Sequence, residues 1–176
     1  MDIISHGLWG GIAFGRQRKI WLAFLFGVLP DLCSFAPFFI YTKLNNIHFH
    51  RAPPLDIIPP WVFTIYDVGH SLLFFALVYM LLLKINKGLS LYSLAWLLHI
   101  LLDIPTHSAE YFPTKFLYPV SDFIIDGQPW ASPLIWYPNL ALLLTLYGLH
   151  IFSLLRDKRK VSADNIGQPE KIFFNG

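Results

Sequence analysis

Trp96-Leu97-Leu98-His99-Ile100-Leu101-Leu102-Asp103-Ile104-Pro105-Thr106-His107 reads as an apolar helix with two polar side chains set into it four residues apart. That spacing places His99 and Asp103 on one face, one turn from each other, near enough to share a ligand. His107 follows four residues further on, beyond Pro105, where the helix is expected to end. An imidazole and a carboxylate among leucines require partners, because unpaired polar groups in apolar surroundings cost several kcal/mol. An i,i+4 His–Asp hydrogen bond is the plain explanation of the pair; a shared ligand is the sharper one.

The surroundings are those of a membrane protein. Of 176 residues, 55% are hydrophobic and only 14% charged, and the mean hydropathy is +0.52; soluble domains carry nearer about 25% charge. A net charge of +2 offers no basic face for nucleic acid. Cys33, the single cysteine, excludes an internal disulfide framework. The N-terminus lacks the leading basic residues of a secretory signal, since Asp2 comes first and Arg16-Gln17-Arg18-Lys19 follows the apolar run.

The expected fold is all-α: four transmembrane helices plus a short N-terminal helix that is re-entrant or buried in protein. Ile3 to Gly15 is too short to cross about 30 Å of hydrocarbon. Gly7, Gly11 and Gly15 give this segment a small-residue stripe for close helix packing. The spans are expected at Ile20–Tyr41, with Pro30-Asp31 in its middle, Trp61–Leu83, Leu89–Ile104 and Pro133–Leu155. Residues 1–155 then form one membrane-embedded domain, and 156–176 a disordered cytoplasmic tail. The basic clusters Arg16–Lys19, Lys84/Lys87 and Arg156–Lys160 fall on one side, which the positive-inside rule assigns to the cytoplasm. Trp61, Trp130, Trp136 and Tyr137 form an aromatic belt at the opposite interface.

Depth ties the polar residues together. His6 is ten positions from Arg16, Asp31 twelve from Lys19, His70 fourteen from Lys84 and His99 twelve from Lys87. At about 1.5 Å per helical residue, all four sit about 15–21 Å from the cytoplasmic face. Asp103 lies a turn higher and His107 at the outer mouth. Different segments thus deliver imidazoles and carboxylates to one level, a mixed N/O donor set suited to Zn, Mn or Fe, as one ion or two. Asp67, one turn before His70, is placed to orient its ring. His150 lies below this level and is expected to bond to a neighbouring helix, while His48 and His50 fall in a solvated outer loop.

Ser5-His6-Gly7, Leu29-Pro30-Asp31, Gly69-His70-Ser71 and His99-x-x-x-Asp103, in that order, resemble the prokaryotic membrane-bound metal-dependent hydrolases of the YdjM/YbcI type, a domain of unknown function. The order is also similar to the ligand order of bacterial zinc-dependent phospholipase C, a soluble helical enzyme. The resemblance covers most of residues 1–110. The chain departs from the hydrolase pattern at Ile65-Tyr66-Asp67 and at Cys33.

The resemblance implies a prokaryotic inner-membrane protein with His6, Asp31, His70, His99, Asp103 and His107 as metal ligands. It also implies metal-dependent hydrolysis of a phosphoester on a lipid or lipid-linked substrate. Asp31 or Asp103 would serve as both ligand and proton acceptor. The chain has no serine-nucleophile motif, P-loop or glycine-rich phosphate cradle, which argues against covalent catalysis and nucleotide chemistry. A non-enzymatic ion or proton relay, a transporter and a structural membrane protein are the competing readings. The sequence is silent on oligomeric state.

Overall fold

The computed structural model describes residues 1–15, 19–50 and 52–166, with side chains described as far as residue 159. Arg16 and Arg18 of the first basic cluster, Arg51 and residues 167–176 of the expected tail lie outside the described residues. The chain is all-α: α1 (Ile3–Phe14), α2 (Ile20–Leu44), α3 (Pro60–Gly69), α4 (Leu72–Ile85), α5 (Lys87–Thr106) and α6 (Pro133–Ile166), with one 3-10 turn at Leu55–Ile57. Helices α2, α5 and α6 are long and apolar enough to cross a membrane, and α3 with α4 is a bent pair that reaches the same length and hydropathy only when the two are taken together.

Helix α1 begins at Asp2, whose carboxylate accepts the Ser5 N–H at 2.9 Å and the Ser5 hydroxyl at 2.6 Å. This satisfies a donor that a helix start otherwise leaves orphaned. Twelve residues make it about 18 Å long, short of the hydrocarbon thickness. Its burial comes from protein instead: α1 packs against α2 and α5, and small residues set the distance. A Cβ on Gly7 would meet Phe24 and Val28, and one on Gly10 would come within 2.7 Å of Ala23 O and of Ala95 Cβ.

The expected continuous span Trp61–Leu83 is broken. Between α3 and α4 the axis bends by 55°, and His70 and Ser71 occupy the break. Ser71 is the reason a new helix can start there: its hydroxyl accepts the N–H groups of Leu73 and Phe74 at 3.2 and 3.3 Å and donates to Tyr118 O. The loop after α5 secures the same joint through Leu72 N–H on Phe116 O at 2.9 Å. Ser71→Ala is therefore expected to destabilise the fold by about 1–2 kcal/mol, the worth of a cap, measured by thermal or denaturant unfolding in detergent.

That loop also folds back over the end of α5. Gly127 N–H bonds to His107 O and Gln128 N–H to Pro105 O, each at 2.9 Å. A side chain at residue 127 would collide with the carbonyl of Pro105. Beneath the loop, Phe38, Ile58, Val62, Tyr66 and Phe112 form a buried aromatic-aliphatic cluster.

Helix α5 runs one residue past Pro105, with His107 as its C-cap. Helix α6 does not stop at Leu155 but continues to Ile166, so the start of the expected disordered tail is helical. Only 11% of its apolar window is buried, which leaves most of α6 facing outward.

Candidate metal centre

Three histidines are held by the same device. His70 Nδ1 bonds to the carbonyl of Tyr66 at 2.8 Å, His99 Nδ1 to that of Gly27 at 2.6 Å, and His107 Nδ1 to that of Phe112 at 2.7 Å. A carbonyl only accepts, so each Nδ1 carries a proton, and in the neutral ring each Nε2 presents its lone pair. Local sequence explains the three carbonyls. The Tyr66 carbonyl is one turn before His70, at the end of α3. The Gly27 carbonyl lies in the turn of α2 that Pro30 crowds, three residues before it, and takes the His99 proton there. Phe112 takes a left-handed φ of 49°, and its carbonyl receives both His107 and the Tyr66 hydroxyl, the latter at 3.1 Å.

The bare Nε2 atoms converge on Asp103, which is fully buried. His70 Nε2 and His99 Nε2 each stand 3.1 Å from Asp103 Oδ2, and 2.9 Å from one another. Asp31 Oδ1 completes the group at 3.5 Å from His70 and 3.8 Å from His99. A tetrahedral ion with bonds of about 2.0–2.1 Å separates its ligands by about 3.3 Å. These five separations, 2.9 to 3.8 Å, straddle that edge.

Two imidazole nitrogens facing each other at 2.9 Å need a positive centre between them, which a shared proton or a bound cation supplies. Asp103 Oδ2 is likewise buried without a hydrogen-bond donor. The fit to a divalent cation is therefore chemical as well as geometric: two imidazoles and two carboxylates balance a 2+ charge and satisfy every orphaned lone pair of the group.

The opposite oxygen, Asp103 Oδ1, faces the remaining candidates. His6 Nε2 is 2.8 Å away, yet neither ring nitrogen of His6 makes a hydrogen bond; the ring stacks on His99 with centroids 3.6 Å apart. His107 Nε2 is 3.4 Å from the same oxygen. The Met1 amino group contacts Asp103 Oδ1 and lies 3.0 Å from His107 Nε2.

All six residues expected from the sequence thus meet in one place: His6 from α1, Asp31 from α2, His70 from the α3/α4 break, His99 and Asp103 from α5, and His107 from its cap. His107 departs from its expected position at the outer mouth. The returning loop covers it and leaves it only 9% exposed, inside the centre. Asp67 does not orient His70; it pairs with Lys115 Nζ at 3.2 Å, and Lys115 reaches Asp122 at the same distance. Partial burial works against the Lys115 ammonium, but its hydrogen bonds to Asp122 and Asp67 prevail and raise its pKa above the ordinary lysine value. His150 is exposed on α6 rather than held by a neighbouring helix, and His48 and His50 are exposed.

Tyr66 is a residue beside the centre that spacing and depth along the chain do not single out. Its ring stacks on His70 at 3.7 Å and its hydroxyl sits 3.0 Å from His107 Nδ1. The available signal was its place one turn before His70.

Compared with protein-family models, curated proteins and solved structures, the chain matches none.

Proposed function

We propose that the protein is a membrane-embedded metal-dependent hydrolase acting on a lipid or lipid-linked phosphoester. The observation that carries this reading is the set of histidines whose Nδ1 protons are tied to backbone carbonyls while their Nε2 lone pairs converge on Asp103. Such anchoring fixes tautomer and ring orientation ahead of binding, as metal ligands require. A packing device has no use for bare lone pairs that face each other in a dry interior, because each is a cost without a return.

In this reading His70, His99, Asp31 and Asp103 hold a zinc ion, with manganese or iron as alternatives of similar donor preference. His6 and His107 lie on the Oδ1 side of Asp103, where the Met1 amino group takes the place a second ion would need, so the reading is of one ion. A divalent ion supplies Lewis acidity toward a phosphoryl or carbonyl oxygen and lowers the pKa of water toward neutrality. Asp103 holds four imidazoles in register around one carboxylate. Asp31, at the longer distances, is the carboxylate with freedom to accept a proton. The hydrolase resemblance of the four motifs supports the same reading, as does the placement of the centre within membrane-length helices. The basic residues Lys84, Lys87 and Arg156 favour a cytoplasmic C-terminal side under the positive-inside rule, and the family resemblance favours a prokaryotic inner membrane.

Metal analysis of detergent-purified protein, prepared without chelators, tests the centre. Near-stoichiometric zinc or manganese is expected in the wild type and background levels in both His99→Ala and Asp31→Ala. A wild type without metal overturns the proposal. A metal-loaded protein that turns over no phospholipid, phosphodiester or ester overturns the hydrolase part of it.

A further inference from the structure

Helices α1 and α6 touch at few points, and between them runs a groove of about 350 Å³. We infer that this groove binds one acyl chain of a bilayer phospholipid, with the polar end of the lipid lying beside the metal centre. The inference names the substrate class for the centre proposed above, and rests on that reading for its link to catalysis.

The groove changes character along its length. Its walls are Ile4 and Leu8 on α1 and Leu140, Leu143 and Leu144 on α6. Trp136 to Tyr147 is an eleven-residue advance along α6, about 16 Å. Toward the Trp136 end the lining becomes polar: Asp2, Ser5 and Asn139 are joined there, with the Asn139 amide donating to Ser5 Oγ at 2.9 Å and Ser5 Oγ donating to Asp2 at 2.6 Å. His6, whose ring stands 2.8 Å from Asp103, is the next residue after Ser5. An apolar trough ending in a few polar groups is the usual make-up of a small-molecule site.

The occupant follows from the surroundings. Ile4 and Leu144 on the rim are 65% and 66% exposed. They belong to a helix pair whose long member has membrane-spanning length and composition, so hydrocarbon rather than water covers them. A phospholipid presents both an apolar chain to the trough and a polar end to Asp2, Ser5 and Asn139.

Native mass spectrometry of zinc-loaded protein, reconstituted with palmitoyl-oleoyl phosphatidylglycerol and returned to mild detergent, tests the inference. The wild type is expected to retain one lipid per chain. Leu140→Trp and Leu8→Trp fill the groove from its two walls and should lower lipid occupancy at least about tenfold. Both should keep their zinc, which reports an intact fold, and two variants guard against the misfolding of either. Leu81→Trp, on the exposed face of α4, should retain lipid as the wild type does.

A wild type that retains no lipid, equal retention in both groove variants, or a dimer that the groove variants dissociate overturns the inference. The two readings fail separately. Lipid held without any hydrolysis leaves the groove and removes the hydrolase, whereas turnover of a soluble phosphodiester without lipid retention does the reverse.

Discussion

Asp103→Asn should weaken zinc binding by at least about 100-fold, since loss of mere outer-sphere support for a ligand already costs about 10–100-fold. Asp103 is the one side chain that every imidazole of the centre faces. Its Oδ2 stands 3.1 Å from both His70 and His99, and its Oδ1 stands 2.8 Å from His6 and 3.4 Å from His107. Asparagine keeps the shape, so the packing of α1 and α2 on α5 survives. It removes the charge, leaving Asp31 alone to offset a 2+ ion, and it turns an NH2 group toward histidines that already present lone pairs.

Equilibrium dialysis against zinc reads the affinity directly, and thermal unfolding gives a second view. Zinc at 100 times the wild-type Kd should stabilise the wild type by about 2.7 kcal/mol and the variant by no more than about 0.4 kcal/mol. Acidification should weaken wild-type binding, because protons compete for the same imidazole and carboxylate lone pairs. Asp67→Asn is the matched control: Asp67 is paired with Lys115 outside the centre, so zinc affinity should hold. Wild-type affinity in Asp103→Asn would mean that the convergence on this carboxylate has nothing to do with a metal.

The centre was legible in the sequence because helices convert residue counts into distances. His99 and Asp103 share a face at a spacing of four, and counting from basic residues at the helix ends brought His6, Asp31 and His70 to the same depth. The helical class and the apolar helices followed from composition and length. What stayed hidden were features set by contacts remote in sequence. The break at His70–Ser71 is invisible to hydropathy because leucine-rich sequence continues beyond it, and it is held by the Ser71 cap, by bonds to the Phe116 and Tyr118 carbonyls and by the Trp96 indole on Gly69 O. His107 was placed at the mouth because nothing local says that residues 126–128 return to cover it. Asp67 was assigned to His70 by proximity along α3, whereas its partner Lys115 comes from a loop. The end of α6 was misjudged for another reason: hydropathy marks where a span leaves the apolar layer, but Arg, Lys and Asp continue a helix without difficulty.

Gly27→Ala should damage fold and centre together, and it separates this architecture from a loose bundle that merely collects polar residues. A Cβ at Gly27 would lie 2.5 Å from the carbonyl oxygen of His6 and 3.1 Å from the Cα of Gly7. Both are backbone atoms, so no side-chain rotation relieves the clash, and α1 must move away from α2. Overpacking of this kind costs about 1–3 kcal/mol. The displaced helix carries His6, and the displaced residue carries the carbonyl that fixes His99 Nδ1 at 2.6 Å. Losing that anchor frees the His99 ring to turn its lone pair from Asp103. Zinc affinity should therefore fall by about 10–100-fold, as it does when support behind a metal-bound histidine is lost. Unfolding in detergent and zinc titration on the same preparation read the two effects. Gly88→Ala provides the comparison: its nearest neighbour is the Asn86 side chain at 3.3 Å, at the exposed α4/α5 turn, so zinc affinity should be unchanged. If Gly27→Ala lost stability but bound zinc with wild-type affinity, the close approach of α1 to α2 would be a packing feature with no part in setting the centre.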